Sequence, residues 1–543
     1  MSPAKTESAN VKAHPKNSYD EVPYESFPFQ QTHPDRLATI ATLFGLRPAN
    51  VEKCRVLELG CASGGNLIPM AAALPDSEFL GVDFSQRQIS AAQDAVQELG
   101  FHNLEFKHAS ILEITPSWGQ FDYIIAHGVY SWVPNEVQAK LLEVCSSNLA
   151  PQGIAYVSYN TFPGWHLRGM IRDMMHYHAS RYTDPRQRLR EARALVDFLA
   201  GAVPADNNPY GLQLRKELDN LGQQSDNYLY HEQLEDVNDP IYFYQFVDRA
   251  KLCGLQYLGE ADFRVMTTWG FSPETEKTLH HLATDLIQME QYMDFVRNRT
   301  FRQTLLCRDD LPLSRNITAN HLLPMYVSSP LRPSAKNLDV RNAEPAEFTG
   351  PHGLKFTSSD VITKAAILAL SEVWPRALSL AELHDKVWAN FESMSIRDAS
   401  SITAETRELA GRLINCFISD LVEINIHRPR FTTQVSERPA ATTLQRRQAQ
   451  RSNLVTNLRH QSVRLTDVQR RLLQCLDGNC DRKLLLAQMT TLVREGTLVV
   501  QDRGKRVEDA ATVETLLTGV LESSLEELAR QALLSPSHES DCN

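Results

Sequence analysis

The chain has 543 residues, a formal net charge of −11, 42% hydrophobic residues and nine cysteines. It is too long for a single hydrophobic core, so we expect about three domains. No apolar run approaches the roughly 20 residues of a membrane-spanning helix, and the polar start does not resemble a signal peptide. The cysteines lack the paired spacing of a zinc site, which favours reduced thiols. These properties predict a cytoplasmic chain without membrane insertion or metal.

A glycine-rich turn between a buried strand and a helix is the most informative feature of the sequence. Residues 56–59 are apolar apart from Glu58, as expected of a strand buried on both faces. Gly60 and Gly64 allow a tight turn, and the following helix directs its first N–H groups at a ligand over that turn. Asp83 ends the next strand, where a carboxylate accepts hydrogen bonds from both ribose hydroxyls of a nucleoside. The turn has no lysine, which excludes a P-loop. The sequence therefore predicts a nucleoside-cofactor site.

Strands and helices continue to alternate after the turn. Ser85 and Gln88 predict a capping box at the start of a helix that Gly100 ends. Further strands are predicted at 104–107, 121–126 and 154–159, with a helix at 135–149. This alternation predicts an α/β fold with a doubly wound, Rossmann-like parallel sheet.

The rest of the chain is predicted to be mainly helical at first and winged-helix-like at its end. Helical periodicity covers residues 186–202, and one long helix is predicted over 273–298. Residues 19–29, rich in proline and aromatic side chains, are a candidate lid over the cofactor. The predicted divisions are a flexible N-terminus at 1–20, a cofactor-binding domain at 21–182, a helical middle domain at 183–345 and a winged-helix-like α+β region at 346–543.

Two helix-turn-helix-like modules are predicted in the C-terminal region. The first pairs helices at 358–372 and 379–390, and the second joins a helix at 481–493 to a β-wing at 496–500. Such modules often bind DNA. Because the candidate recognition helix carries only two basic residues, a protein-interaction or substrate-presenting role is the better interpretation.

A strongly basic strip runs from Arg428 to Arg471. It contains ten arginines, no lysine and only two acids, so it carries about +8 and leaves the remainder near −19. One interpretation is a contact surface for an acidic partner, RNA included. The favoured alternative is a solvated linker and helix surface, because Phe431 and His460 are the only rings in the strip that could stack on bases. We therefore expect no stable nucleic-acid partner.

Residues 58–64 resemble motif I, E-x-G-x-G-x-G, of class I S-adenosylmethionine (SAM)-dependent methyltransferases, with Ala62 in place of the middle glycine. Longer strings resemble one family of these enzymes, which carries a methyltransferase regulatory domain and includes bacterial lysine methyltransferases that act on outer-membrane proteins. Those strings lie at 26–29, 32–34, 65–70, 127–134, 158–166, 230–232, 298–304 and 476–478. The resemblance implies SAM as cofactor, a homodimer, and an acceptor lysine in an outer-membrane or secreted protein.

The resemblance also implies where the cofactor binds. The turn would pack against the methionine part and the ribose, and Asp83 would accept the ribose hydroxyls. Ser110 stands where these enzymes commonly have an aspartate that contacts the adenine amino group. The predicted cofactor-binding residues are Glu58, Gly60, Cys61, Ala62, Gly64, Asp83, Phe84, Ser110 and His127.

A lysine acceptor must lose its proton before it attacks a methyl group. With a reference pKa near 10.4, keeping the amine neutral at pH 7.4 costs about 4 kcal/mol in solution. An apolar channel lowers that pKa, and a nearby base can take the proton. Exposed aromatic residues after the fourth strand are expected to form the channel, joined by Tyr159 and Trp165, and His166 is a further candidate base. The predicted catalytic residues are Tyr130, Trp132, His127 and Tyr24.

Two other functions are compatible with the sequence. A small-molecule or RNA methyltransferase would use the same cofactor half. A non-enzymatic SAM-binding module is suggested by Ala62 and Ser110, since both depart from the usual pattern.

Overall fold

A seven-stranded mixed sheet forms the centre of the protein. The structure is a computed structural model, which describes residues 18–22, 24–391, 399–498, 501–502, 505–506 and 509–536. The strands of the central sheet are β1 Arg55–Leu59, β2 Glu78–Asp83, β3 Leu104–His108, β4 Phe121–Ala126, β5 Leu149–Asn160, β6 Leu255–Glu260 and β7 Phe301–Arg308. Their order is β3-β2-β1-β4-β5-β7-β6. The first five strands are parallel, and β7 is antiparallel to both β5 and β6.

Helices cover both faces of this sheet. Those from the first third of the chain are α1 Ser18–Glu21, α2 Pro34–Leu43, α3 Leu67–Ala73, α4 Gln86–Leu99 and α5 Asn135–Ser147. Val56 and Ile125 share a hydrophobic core with α2, α3 and α4, while Leu57 and Ile124 share a second core with α5. The doubly wound fold predicted from alternation is therefore confirmed.

The ends of α4 confirm two local predictions and correct a third. The Ser85 side chain accepts a hydrogen bond from the Gln88 backbone N–H, and Gly100 ends the helix at φ 69°. The reciprocal capping-box bond, from the Ser85 N–H to the Gln88 side chain, is wrong, because the Ser85 N–H donates to Asp83 at 2.8 Å. The Gln88 side-chain amide donates to the Tyr24 carbonyl at 3.1 Å.

The middle of the chain contributes helices and the two antiparallel strands. Its helices are α6 Gly164–Ala179, α7 Pro185–Ala202, α8 Pro209–Gly222, α9 Asp226–Leu234, α10 Phe243–Leu252, α11 Pro273–Leu282 and α12 Leu286–Arg297. The single helix predicted over 273–298 is wrong, since the chain breaks after Leu282 and Asp285 caps a new helix through its side chain. The segment predicted as a helical middle domain therefore also completes the central sheet with β6 and β7.

The first C-terminal module packs directly on the sheet domain. Its elements are α13 Ala319–Leu322, β8 Tyr326–Ser328, β9 Arg332–Pro333, β10 Ala346–Thr349, β11 Lys355–Ser358, α14 Val361–Val373, β12 Leu378–Ser379, α15 Leu380–Trp388, α16 Ala399–Ile418 and β13 Glu423–Asn425. Leu370, Leu383 and Leu413 belong to the same hydrophobic core as α2. The module is thus continuous with the sheet domain rather than tethered to it.

The second C-terminal module has a hydrophobic core of its own. Its elements are α17 Thr443–Arg451, β14 Leu454–Thr456, β15 Ser462–Arg464, α18 Asp467–Cys475, α19 Arg482–Arg494, β16 Gln501–Asp502, β17 Lys505–Arg506 and α20 Ala510–Arg530. The predicted wing at 496–500 is only partly described: Thr497 and Leu498 are not in a strand, and residues 499–500 lie outside the described residues. An antiparallel pair, β16 with β17, follows them.

The described residues show neither a membrane-spanning helix nor a metal-binding cluster. None of their helices is long and apolar enough to cross a membrane. The same residues contain no group of three or more histidine, cysteine, aspartate or glutamate side chains that could hold a metal ion.

A buried cluster of charged side chains joins β6, β7 and α12. Arg302 has no exposed surface, and its guanidinium contacts Glu260 at 2.7 Å, Asp294 at 2.8 Å and Glu290 at 3.1 Å. Burial by itself would lower the pKa of Arg302, but the neighbouring carboxylates together outweigh it and raise the pKa far above its usual range, so the guanidinium stays charged. This cluster fixes the edge of the sheet that the middle segment supplies.

We expect Arg302→Leu to lower the free energy of unfolding by about 3–5 kcal/mol, because it leaves three buried acids without their shared cation. Arg308→Leu is the matched control on the same strand, since its ion pair with Asp310 is 40% and 66% exposed. That substitution should cost less than about 1 kcal/mol. Denaturant unfolding measures both, and equal losses would contradict the structural role of the cluster.

Candidate cofactor and acceptor site

The glycine turn after β1 is packed from both sides. Gly60 and Gly64 have φ of 74° and 79°, a left-handed conformation that disfavours side chains. A Cβ on Gly60 would overlap Val129 after β4, and a Cβ on Gly64 would overlap the Phe106 ring on β3. The turn therefore brings bare backbone close to the carboxyl ends of the central strands, where open α/β sheets bind ligands.

Asp83 stabilises this turn from the end of β2. One carboxylate oxygen accepts the Ala62 N–H at 2.9 Å, and the other accepts the Ser85 N–H at 2.8 Å. Each oxygen has two acceptor positions, so the carboxylate still has capacity for hydroxyl donors. Burial raises the pKa of Asp83, and the two N–H groups oppose that shift. The adjacent Phe84 ring is 47% exposed and offers an apolar surface beside the carboxylate.

Ala62 takes a left-handed backbone conformation, which a glycine would adopt without steric cost. Its φ is 48°, in the left-handed region that costs an L-residue roughly 1–2 kcal/mol. The hydrogen bond from its N–H to Asp83 helps to hold that conformation. An alanine at this position is therefore compatible with the left-handed turn.

Ser110 caps a short 3-10 helix after β3. Its hydroxyl oxygen accepts the Leu112 N–H at 3.2 Å, and its own N–H donates to the Glu113 side chain at 2.7 Å. The hydroxyl thus has a structural role in addition to any contact with a ligand.

Glu58 is buried with one oxygen paired and one unpaired. Its Oε1 accepts a hydrogen bond from the Asn66 side-chain amide at 2.7 Å, whereas Oε2 is buried without a hydrogen-bond partner among the described residues. Burial raises the pKa of Glu58 to about 8. The carboxyl is therefore mostly protonated at neutral pH unless a positive charge approaches it.

Asn66 is the centre of a hydrogen-bond network around the turn. Its Oδ1 accepts the Phe29 N–H at 2.9 Å and faces His460 Nε2 at 2.8 Å. Its Nδ2 donates to Glu58 and to the Thr32 hydroxyl at 2.9 Å. This one side chain therefore connects β1, the N-terminal segment and the C-terminal region.

The N-terminal segment, residues 18–22 and 24–32, contacts the glycine turn, and its role as a lid stays a prediction. The Ser26 hydroxyl accepts the Gly65 N–H at 2.7 Å. Near the start of the segment, Asp20 accepts a hydrogen bond from the Ser85 hydroxyl at 2.5 Å. These bonds attach the segment to the residues that precede α3 and α4.

An aromatic cluster stands at the end of β4. The rings of Phe29 and His127 are 3.9 Å apart, and Phe301 contacts His127 edge-on at 6.1 Å. The Tyr156 hydroxyl lies 2.8 Å from His127 Nδ1. Burial lowers the pKa of His127 to about 4, so the ring is neutral at physiological pH.

Known proteins match this chain along nearly its whole length. Residues 50–198 match "Methyltransferase domain", 225–308 match "Predicted methyltransferase regulatory domain" and 437–533 match "PKMT, C-terminal winged helix domain". PKMT2 from Rickettsia typhi, solved in complex with AdoHcy, is 31% identical with a TM-score of 0.85, over 94% of this chain and 100% of that one. Uncharacterized protein RP789 of Rickettsia prowazekii is 35% identical over 525 residues, 95% of this chain and 94% of that protein. The chain belongs to the SAM-dependent methyltransferases that carry the methyltransferase regulatory domain.

The residues around the turn of this methyltransferase fit its cofactor. The bare turn accommodates the close approach of a nucleoside, and Asp83 retains acceptor capacity for hydroxyl groups. The unpaired oxygen of Glu58 suits a ligand that, like SAM, is positively charged. SAM is therefore the cofactor that both the comparisons and the site support.

The structure corrects the expectation that Tyr130 is an exposed channel residue. It is fully buried, its hydroxyl accepts a hydrogen bond from Arg249 at 3.1 Å, and its ring packs edge-on against Phe246. Tyr159 and Trp165 are also buried, each with 1% exposure. Helix α10 covers this side of the site, and the local pattern after β4 could not reveal that contact.

The other predicted aromatic residues lie in three different places. Trp132 is half-buried, edge-on to Trp165 with their centroids 6.3 Å apart. Tyr24 lies 5.7 Å from His231 of α9, in the contact between the N-terminal segment and the middle helices. His166 is exposed and stacks on Phe162. Of the predicted catalytic residues, His127 is the one in contact with the Phe29 ring, a contact that sequence reasoning missed.

The basic strip has a further role that neither interpretation included, because half of its arginines bind acids elsewhere in this methyltransferase. The pairs are Arg428 with Glu382, Arg430 with Glu52, Arg447 and Arg451 with Glu98, and Arg459 with Glu423. His460, considered above as a base-stacking ring, is buried at 6% exposure. On α19, Arg482 binds the backbone carbonyls of residues 436 and 437. Much of the positive charge therefore holds the chain's own parts together.

We expect Glu58→Gln to change how stability depends on pH. The ordinary pKa of the carboxyl is 4.5 and the folded pKa is about 8, so the fold binds this proton more tightly than the unfolded chain does. Wild-type stability should accordingly fall as pH rises from about 5 to about 8 through this group. The glutamine variant does not lose this stability. The melting temperature of the variant minus that of wild type should therefore increase by several degrees between about pH 5 and about pH 8.

Differential scanning calorimetry without cofactor measures this effect. Glu78→Gln on β2 is the control, because the Glu78 side chain is 71% exposed, and this variant should follow the wild-type curve. Parallel pH curves for wild type and Glu58→Gln would contradict the burial of a protonated carboxyl.

Proposed function

We propose that this methyltransferase transfers methyl groups from SAM to lysine side chains of a protein substrate. The observation that carries the proposal is the neutral aromatic cluster of Phe29, His127 and Phe301 at the end of β4, beside the cofactor turn. An apolar, uncharged site favours the neutral amine over the ammonium. Aromatic faces also attract methylammonium, so a partly methylated lysine is tolerated.

The proposed cofactor contacts lie at the carboxyl ends of the first four strands. The turn from Gly60 to Gly64, with Cys61 and Ala62, holds the methionine part and the ribose. Asp83 accepts the ribose hydroxyls, Phe84 and Ser110 contact the adenine, and Glu58 provides a negative charge. His127 closes the site next to the methyl group. When bound, SAM supplies a methyl group on a positively charged sulfur, which makes the transfer favourable without a metal or a covalent nucleophile.

The protein's part in the transfer is positioning and exclusion of water. Phe29 and His127 form one wall for the incoming side chain, and half-buried Trp132 is proposed as a second aromatic surface. The nitrogen lone pair of the acceptor forms the new N–C bond as the C–S bond breaks and its electrons remain on sulfur. With a pKa near 4, the His127 ring is a neutral imidazole at neutral pH and carries no positive charge. Its proposed role is therefore to keep the wall uncharged, and the amine loses its proton to bulk water before it reaches the wall.

The relatives support a protein acceptor. The matched structures are named PKMT2, the matched C-terminal domain carries the PKMT name, and the strings at 127–134 and 158–166 resemble bacterial lysine methyltransferases. An outer-membrane or secreted protein as substrate, a homodimer and a cytoplasmic location remain predictions from the same resemblance.

We expect Asp83→Ala to weaken SAM binding at least about 100-fold, because the ribose acceptor is lost and two backbone N–H groups lose their partner. Isothermal titration with SAM measures the affinity. Asp76→Ala, an exposed loop residue just before β2, is the control and should bind like wild type. Unchanged affinity in Asp83→Ala would show that the ribose is held elsewhere.

Methyl-labelled SAM and a fractionated bacterial envelope lysate test the acceptor. We expect label in protein, located on lysine by mass spectrometry, and none with Asp83→Ala. With a lysine peptide below saturation, the rate should rise about tenfold per pH unit between pH 6.5 and 8.5, because the neutral amine fraction does so. Label that ribonuclease releases, or label in small molecules, would contradict the proposal and favour the RNA or metabolite alternative.

A further inference from the structure

One hydrogen bond joins the C-terminal winged-helix domain to the residues around the glycine turn. His460 lies in the turn between β14 and β15, and its Nε2 is 2.8 Å from Asn66 Oδ1. Both side chains are buried, with 6% exposure for His460 and 2% for Asn66. Water therefore cannot readily replace either partner. Loss of the contact would leave the buried oxygen of Asn66 with one donor fewer.

The direction of this hydrogen bond is fixed by the surrounding donors. The Phe29 N–H can only donate, so the oxygen of the Asn66 amide must face it, and the same oxygen faces His460. His460 must accordingly carry its proton on Nε2 and donate it. Burial lowers the pKa of His460 to about 3, so the ring remains a neutral single donor at physiological pH.

The turn that presents His460 is held rigidly. The Asn457 side chain accepts the N–H groups of Arg459 and Gln461, each at 2.9 Å, and this closes the turn on itself. His460 has φ of 58°, a left-handed conformation typical of such tight turns. Next to it, the Arg459 guanidinium pairs with Glu423 and lies 4.3 Å from the centroid of the Trp374 ring. Anchors on both sides of His460 keep its donor at a fixed position.

Asn66 connects His460 to two parts of the site. Its amide nitrogen holds Glu58, the buried acid of β1, and its oxygen holds the backbone of Phe29, whose ring contacts His127. We infer that His460 is a positioning residue for methyl transfer, through which the C-terminal domain completes the cofactor site. This role concerns binding of SAM, so it does not depend on the acceptor being lysine.

Two variants of His460 test the inference. His460→Leu removes the donor, whereas the side-chain amide of His460→Gln can still donate to Asn66. Both place a β-unbranched residue at φ 58°, so the backbone strain is matched and the comparison isolates the hydrogen bond. We expect the leucine variant to bind SAM about tenfold more weakly and the glutamine variant to stay within about threefold of wild type, because the leucine variant loses a buried hydrogen bond that helps to hold Asn66 while the Phe29 N–H still pairs with its oxygen.

A third variant separates this role from simple docking of the domains. Glu98→Ala removes the ion pairs that Arg447 and Arg451 make between α4 and α17, without touching the Asn66 network. Its SAM affinity should equal that of wild type. Isothermal titration gives the affinities, and circular dichroism with thermal melting confirms that each variant folds.

Two results would overturn the inference. One is wild-type affinity in His460→Leu, and the other is an equal loss of affinity in Glu98→Ala. If His460→Leu fails to fold, His460→Asn replaces it, because asparagine tolerates the left-handed conformation but is too short to reach Asn66. That variant should show the same tenfold loss, and wild-type affinity would again overturn the inference.

Discussion

The candidate site depends on the hydrogen bonds that the side-chain amide of Asn66 makes. It joins a buried acid on β1, the backbone of the N-terminal segment and the winged-helix domain within one fully used set of donors and acceptors. A buried amide is demanding, because any missing partner costs free energy comparable to a lost hydrogen bond. The glycine turn, the segment that covers it and the distant C-terminal turn must therefore be correctly placed together.

The second property of the site is that two of its buried ionisable side chains are neutral. Burial keeps Glu58 protonated and His127 neutral, and the aromatic rings around His127 add no charge. A positively charged cofactor entering such a site meets one carboxyl able to ionise in response. An amine acceptor entering it gains by being neutral, which is the form that attacks a methyl group. The same physical environment thus suits both proposed ligands.

Half of the arginines in the basic strip form ion pairs with acids of the same chain. Five arginines of the basic strip bind acids on the sheet domain and the first C-terminal module, including Glu52 and Glu98. Among these contacts, Arg447 and Arg451 attach the winged-helix domain to α4. A strip that resembles a nucleic-acid surface in sequence thus also makes contacts within the molecule, and His460, which belongs to the strip, is buried.

The sequence by itself determined the features that depend on neighbouring residues. Strand and helix alternation, the turn at Gly60 to Gly64, the caps of α4 and the acid at Asp83 all follow from periodicity and local backbone chemistry. Only the tertiary structure decided which remote segments meet. It brought β6 and β7 into the sheet, buried Tyr130 beneath α10 and placed His460 against a residue 394 positions away. Local patterns carry no record of such contacts, because burial and hydrogen-bond partners are set by the packing of the whole chain.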